Sequence, residues 1–205
     1  MLFRSLLRLL NRLSEPTSGE ILLGGQNYRS IPPVTLRQQV MLVSQEPKLL
    51  GMNVRAALAY PLQLQALDSV EIKQRMLSIT EQFEIPTDWF DRTERQLSAG
   101  QKQIVSIARG VITQPKVLLL DEPTANLDPT ISAQLLTTIS DLCRSLQMGL
   151  VVVNHQLELA AQFSDRLLYL HDGKLLIDRP SISVDWQNLQ QQLREAEDRS
   201  ISEWD

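Results

Sequence analysis

Two adjacent carboxylates at the end of an apolar run are the residues best placed to do chemistry. In Lys116-Val-Leu-Leu-Leu-Asp121-Glu122 the stretch 117–120 is apolar without alternation, the pattern of a strand buried on both faces of a parallel sheet. Such a strand delivers its last residues to the carboxyl edge of the sheet, where ligands bind in folds of this kind. Asp121 offers hard oxygen ligands to Mg²⁺, directly or through water, and Glu122 can orient and deprotonate a water. By itself the string is better read as a strand that ends in a solvated acidic turn.

Four further features keep a fixed order around those acids. Leu97-Ser-Ala-Gly-Gln101 opens a helix upstream, where Ser98 and the N–H groups after it would make an anion site or an ordinary helix cap. Gln45 follows the apolar run 40–43, Asn126-Leu-Asp128 follows the acids, and His155 follows the apolar run 150–153. Each has a plain structural reading as well: a polar strand end for Gln45, a helix cap for Asp128, a loop histidine for His155.

The rest of the chain must position these groups. Its 205 residues are 43% hydrophobic with a formal net charge of -4, enough for one sizeable core or two small lobes. The acidic balance argues against nucleic acid as a main partner, whose footprint is a basic excess. No run of about eighteen apolar residues occurs, so no segment is expected to span a membrane directly. The single cysteine, Cys143, has no internal disulfide partner and sits in a helical pattern as a small core residue, which fits a reducing cytosol.

Along the chain, MLFRSLLRLLNRL places Arg4, Arg8 and Arg12 at a spacing of four on one helix face, opposite a broad leucine face. No small-residue cleavage site follows, so the stretch reads as an internal helix docked on a core rather than a leader. A short strand is expected over 20–23, a strand at 40–43, and helices over 56–67 and 70–83, the second capped by Asp68. The stretch 96–111 begins as a loop and becomes a helix. Strand 117–120, helix 131–146, strand 150–153, helix 157–163 and strands 166–170 and 174–177 follow. Strands alternating with helices imply an α/β domain with a mostly parallel sheet flanked by helices. The expected organisation is a partial α/β core over 1–55, an inserted helical subdomain over 56–111, the α/β core again over 112–180, and a polar C-terminal helix and tail over 181–205, with Trp186, Leu189 and Leu193 on one side.

As an ordered set these motifs resemble the ATP-binding subunit of ABC transporters, from Leu6 to about Ile177. The resemblance implies the ABC-type P-loop NTPase fold and assigns roles by position. Gln45, in Val43-Ser-Gln-Glu-Pro47, matches the Q-loop glutamine, which touches Mg²⁺ and the attacking water. Leu97 to Gln101 matches the signature motif, with Ala99 where glycine is usual; Ser98, Ala99, Gly100 and Gln101 are thereby implied to meet a nucleotide held by a second subunit. Asp121 matches the Walker B aspartate near the metal, Glu122 the catalytic glutamate, Asp128 the D-loop and His155 the switch histidine. ATP and Mg²⁺, a second ATPase subunit paired head to tail, a separate transmembrane permease, and a peripheral position on the cytoplasmic face of the plasma membrane follow from the same resemblance. Leu36-Arg-Gln-Gln-Val40, Pro47-Lys-Leu-Leu-Gly51 and Tyr60-Pro-Leu-Gln are similar to the ATPase of an iron-linked two-component ABC exporter, although amino-acid, phosphate and lipoprotein systems share most of these strings. The ABC-type ATPases of DNA repair carry a long coiled coil between their motifs, and the span from Gln45 to Leu97 is too short for one.

In the family the helix at 6–13 follows Gly-Lys-Ser/Thr. That pattern puts Phe3 at the lysine, Arg4 at the serine or threonine, and Ser5 next. The expectation is a chain without the glycine-rich loop, whose N–H nest, lysine and hydroxyl hold phosphates and metal. Arg4 is a cation near the right place in a different register. Losing three charge-assisted hydrogen bonds at ~1.5–3 kcal/mol each removes roughly 4.5–9 kcal/mol, about a thousandfold or more in affinity, so ATP binding by this chain alone is not expected. Either the polypeptide starts late, or it is a non-catalytic half that regulates or completes a partner's site. The strand 117–120 is further expected to present an uncovered apolar edge or face, with poor solubility or association as the result.

Overall fold

The apolar run after Lys116 becomes the middle strand of a parallel sheet. A computed structural model of the chain describes residues 2–193, with side chains from Arg4 onward; the part of the expected C-terminal helix and tail beyond 193 lies outside the described residues. The chain divides into two compact units, one running from Phe3 to Val153 and one starting at Asn154.

The first unit contains α1 (Leu2–Leu10), a small antiparallel hairpin of β1 (Leu22–Leu23) and β2 (Gln26–Asn27), α2 (Pro33–Gln39) and β3 (Val40–Val43). It continues with α3 (Val54–Leu64), α4 (Ser69–Gln82), α5 (Ala99–Val111), β4 (Val117–Asp121), α6 (Pro129–Ser145) and β5 (Gly149–Val153). Strands β3, β4 and β5 form a parallel sheet in that order, with Val40 opposite Val117 and Asp121 opposite Val153.

The two-residue period of a strand sorts the apolar runs onto two faces. Leu118 and Leu120 join Val43 in a core roofed by α3, α5 and α6, whereas Leu119 joins Val40, Leu7 of α1 and Leu36 of α2 in a second cluster on the other face. Gly110 lets α5 lie close to the sheet: a Cβ there would stand 2.7 Å from Val43 Cγ2. Because β4 is paired on both sides and Leu118, Leu119 and Leu120 are fully buried, the expected uncovered edge on this strand is not found. The physical reason is register: β5 takes up the ladder of β4 from its first residue, with Gly149 N–H donating to the Lys116 carbonyl at 2.8 Å.

Local chemistry sets the helix ends. Asn53 accepts from Ala56 N–H at 2.9 Å to start α3, and Asp68 accepts from Val70 and Glu71 N–H, both at 2.9 Å, to start α4. The arginine face expected on α1 is less solvated than its spacing implies. Arg12, 16% exposed at its side chain, donates to the Ile31 carbonyl at 2.8 Å and lies 5.6 Å from the centre of the Tyr28 ring. Asn11, also buried, donates to the Val40 carbonyl and ties α1 to β3.

In the second unit α7 (Leu157–Phe163) precedes β6 (Arg166–His171) and β7 (Lys174–Pro180), which pair antiparallel, and residues 186–193 are helical. The two-residue connection Asp172-Gly173, with φ of 47° and 76°, is too short for a parallel crossover and suits a hairpin. Arg166 holds Asp178 across this hairpin and keeps its carboxyl below the ordinary value through a side-chain hydrogen bond.

Cys143 is packed in the core of the first unit, and burial pushes its thiol up to about 11. With an ordinary value of 9.0, its thiolate fraction at pH 8 is about a hundredfold smaller folded than unfolded. Modification by a disulfide reagent at pH 8 is therefore expected to be about a hundredfold or more slower in the native protein than in urea. Equal rates would contradict the packing described for α6.

Candidate functional site

The sheet delivers Asp121, 5% exposed, as the last residue of β4. Glu122 then leaves the strand with φ at 50°, in the left-handed region. Arg12, Ala66, Glu84 and Gln147 also have positive φ, but each stands just past the end of a helix, where that conformation is common. Glu122 follows a strand, and holding it there costs about 1–2 kcal/mol. Its N–H donates to the Val153 carbonyl at 2.9 Å, so β5 fixes the turn that carries the carboxylate out of the sheet.

Beyond that edge four side chains form one chain of contacts. Gln45 stands two residues past β3, and its Nε2 donates to Glu122 Oε2 at 2.9 Å. Its Oε1 accepts from Arg4 Nη2, and Arg4 Nε donates to Asp121 Oδ2 at 3.0 Å. The Arg4 side chain is 57% exposed while that of Asp121 is 6% exposed, so a solvent-facing cation reaches in to a buried carboxylate. The sequence places Gln45, Asp121 and Glu122 in one site; it does not show that Arg4, 117 residues from Asp121, closes it. The signal that could have found it is the alignment of Arg4 with the metal-binding hydroxyl of the family pattern.

The signature stretch lies elsewhere in the same unit. Ser98 Oγ accepts from Gln101 N–H at 3.1 Å, and Gln101 Oε1 accepts from Ser98 N–H at 2.9 Å, a reciprocal capping box at the start of α5. Ser98 and Ala99 are exposed. Gly100 is packed: a Cβ there would stand 2.8 Å from Leu127 Cδ2 and 3.3 Å from the Asn126 carbonyl oxygen. Glycine lets the signature helix meet the Asn126-Leu-Asp128 segment closely; a larger residue would have to turn the Leu127 side chain aside and press on the Asn126 carbonyl. Asp128 Oδ1 accepts from Ile131 N–H at 3.0 Å and caps α6, with Pro129 at the first helical position. Glu94, just before the signature, accepts from Leu49 N–H at 2.9 Å and so ties this region to the segment after Gln45. Burial pulls the Arg109 guanidinium of α5 below its ordinary value, and the charge of Glu94 opposes that shift. His155 is exposed and belongs to the second unit.

A divalent metal at this edge would draw on the Asp121 carboxylate and the Gln45 carbonyl oxygen. Both already accept hydrogen bonds from Arg4. A guanidinium keeps its charge under all ordinary conditions, and a dication in contact with the same two oxygens would lie against it. With Arg4 so placed the residues do not fit Mg²⁺. No cluster of three or more acidic, histidine or cysteine side chains suited to a metal occurs among the described residues.

The two acids at the carboxyl edge of the parallel α/β sheet, with a glutamine from the neighbouring strand, stand where ligands bind in folds of this class. The family model described as ABC transporter matches residues 5–125. The chain is 34% identical over 184 residues to the "Methionine import ATP-binding protein MetN" of Xanthomonas campestris pv. campestris, covering 88% of this chain and 55% of that one. It is 32% identical over 176 residues to the protein of the same name from Carboxydothermus hydrogenoformans, covering 84% and 52%. The chain thus spans about half the length of the curated relatives it matches. Among solved structures it resembles cbiO1 from Clostridium perfringens, part of the ABC transporter complex cbiONQ, at 25% identity and a TM-score of 0.78, covering 87% of this chain and 72% of that one. The fold is also that of the dimeric ATP-binding cassette MJ0796 bound to ADP and Pi, with a TM-score of 0.77 at 24% identity, covering 87% and 80%. The chain belongs to the ATP-binding family of ABC transporters.

The contact at Gly100 generates a test. Gly100→Val is expected to lower unfolding free energy by about 1–3 kcal/mol through overpacking against Leu127 and the Asn126 carbonyl. In a Leu127→Ala background the same substitution should cost less by at least about 0.5 kcal/mol, read from urea unfolding of the four proteins in the cycle. Strict additivity would show that the two segments do not touch.

Proposed function

We propose that the chain is the ATP-binding subunit of an ABC importer, coupling ATP hydrolysis to transport through a separate membrane subunit. The observation that carries this reading is the 2.9 Å hydrogen bond from Gln45 Nε2 to Glu122 Oε2 at the carboxyl edge of β4. A carboxylate held in this way, on a backbone fixed by Val153, can take a proton from a water attacking the terminal phosphate. His155 is the switch histidine by its position in the same resemblance, and Gln45 links the base to the loop that faces the membrane subunit. Ser98, Ala99, Gly100, Gln101 and Asp128 serve the nucleotide of a second ATPase subunit in a head-to-tail pair. The direction of transport rests on the relatives, which are named for import. No helix among the described residues is long and apolar enough to cross a membrane, and the proposed place of the chain is the cytoplasmic face of the plasma membrane, against its permease.

Mg²⁺ accompanies ATP in the reaction the resemblance implies, but in this chain Arg4 takes up the oxygens it would use. That same contact favours a second reading, a half that does not hydrolyse ATP and instead offers its signature helix to a partner's site.

The two readings separate in one experiment. The strand and glycine-rich loop of a relative, ending in Lys-Ser, are grafted directly before Ser5 so that Phe3 and Arg4 are replaced. The importer reading expects Mg-ATP hydrolysis by the graft, lowered about 10²–10⁴-fold by Glu122→Gln with nucleotide binding retained. Binding without hydrolysis, and no effect of Glu122→Gln, would leave the non-catalytic reading in its place.

A further inference from the structure

We propose that the Arg4 guanidinium is the resident cation of the sheet-edge site, taking the place of a divalent metal between Asp121 and Gln45, so that this chain excludes Mg²⁺ from its own site. The inference rests on the geometry of the first unit alone, and Mg-ATP hydrolysis by a graft from which Arg4 has been removed would leave it standing.

Asp121 is a buried carboxylate, and a buried carboxylate without a counter-charge is strongly disfavoured. Among the described residues Arg4 is its side-chain hydrogen-bond partner, with Nε 3.0 Å from Oδ2. The guanidinium is planar and presents several N–H groups from one face; a second, Nη2, meets Gln45 Oε1. One cation therefore joins an acid at the end of β4 and an amide oxygen past β3, the two oxygen donors on neighbouring strands that a metal would bridge. The remaining half of the Gln45 amide is committed to Glu122. The cation thus also orients the carboxylate that would act as base, by fixing which end of the amide faces it. A surface ion pair would have neither feature, since its acid would be solvated and its cation would hold a single acceptor. Charge constancy sets the direction of competition. Arginine cannot be deprotonated to make room, so a dication gains the site only by displacing the whole side chain into solvent.

The test measures Mn²⁺ binding by electron paramagnetic resonance, and thermal unfolding with and without Mg²⁺, on the full chain. Wild type is expected to bind no Mn²⁺ at this site and to melt at the same temperature in either buffer. Arg4→Ser, at a position whose side chain is mostly solvent-facing, is expected to bind Mn²⁺ at least about tenfold more tightly and to melt lower without metal, regaining the loss in Mg²⁺. Adding Asp121→Asn should abolish that binding, and Arg4→Lys should keep Mn²⁺ out. Equal Mn²⁺ affinity in wild type and Arg4→Ser, or gained binding that survives Asp121→Asn, overturns the proposal. Mn²⁺ binding by wild type that Asp121→Asn removes overturns it as well, whether or not Arg4→Ser folds.

Discussion

A carboxylate at the end of a strand buried on both faces is the constraint around which the first unit is arranged. Leu118, Leu119 and Leu120 can pack above and below the sheet only if β4 is central, and a central strand carries its last residue, Asp121, into a place that is 5% exposed. An acid in that position needs a cation and hydrogen-bond donors. Arg4 arrives from α1, Gln45 from β3, and Glu122 continues from β4 itself. The pair is open to solvent on the arginine side, so its contribution lies well below the ~3–5 kcal/mol lost when a fully buried pair is broken. Its larger effect is on geometry, because it decides where the Gln45 amide points.

The strain at Glu122 has the same origin. Asp121 must remain in the ladder with Val153, and the next residue must turn sharply to bring its side chain back toward Gln45. A left-handed φ does this in a single residue, and the hydrogen bond from Glu122 N–H to Val153 holds it. On the other side of the unit, Gly100 permits the start of α5 to touch Leu127, so the signature segment and the segment after the acids are held as one surface. The groups that resemble a catalytic edge and those that resemble a partner-facing helix are thus connected through the same stretch, 121–128.

Much of this was legible because the relevant physics is local. The unalternating run 117–120 announced a buried parallel strand, and Asp68 and Asp128 announced helix caps; each pattern needs only a few neighbouring residues. The grouping of Gln45 with Asp121 and Glu122 was legible for a different reason, the resemblance to the family pattern, and the parallel strands agree with it by bringing their carboxyl ends to one edge. Strand order was not. Nothing in 149–153 says that it takes its place directly beside β4, and the edge expected to be bare is paired for that reason. The reach of the arginines was equally hidden. A spacing of four reads as one helix face for Arg4, Arg8 and Arg12, but α1 ends at Leu10 with Arg12 beyond it, and whether such a side chain meets water, a row of carbonyls as Arg12 does, or a carboxylate as Arg4 does, depends on contacts far away in sequence.

The most direct test of this arrangement is the hydrogen exchange of the Arg4 Nε–H, followed by nuclear magnetic resonance on protein labelled with ¹⁵N arginine. If Nε donates to the buried Asp121 carboxylate, its resonance is resolved from the other arginines, exchanges slowly with water, and collapses into the solvent-exposed set in Asp121→Asn. An Arg4 Nε–H that exchanges as fast as those of the unfolded chain, and that does not respond to Asp121→Asn, would contradict the account.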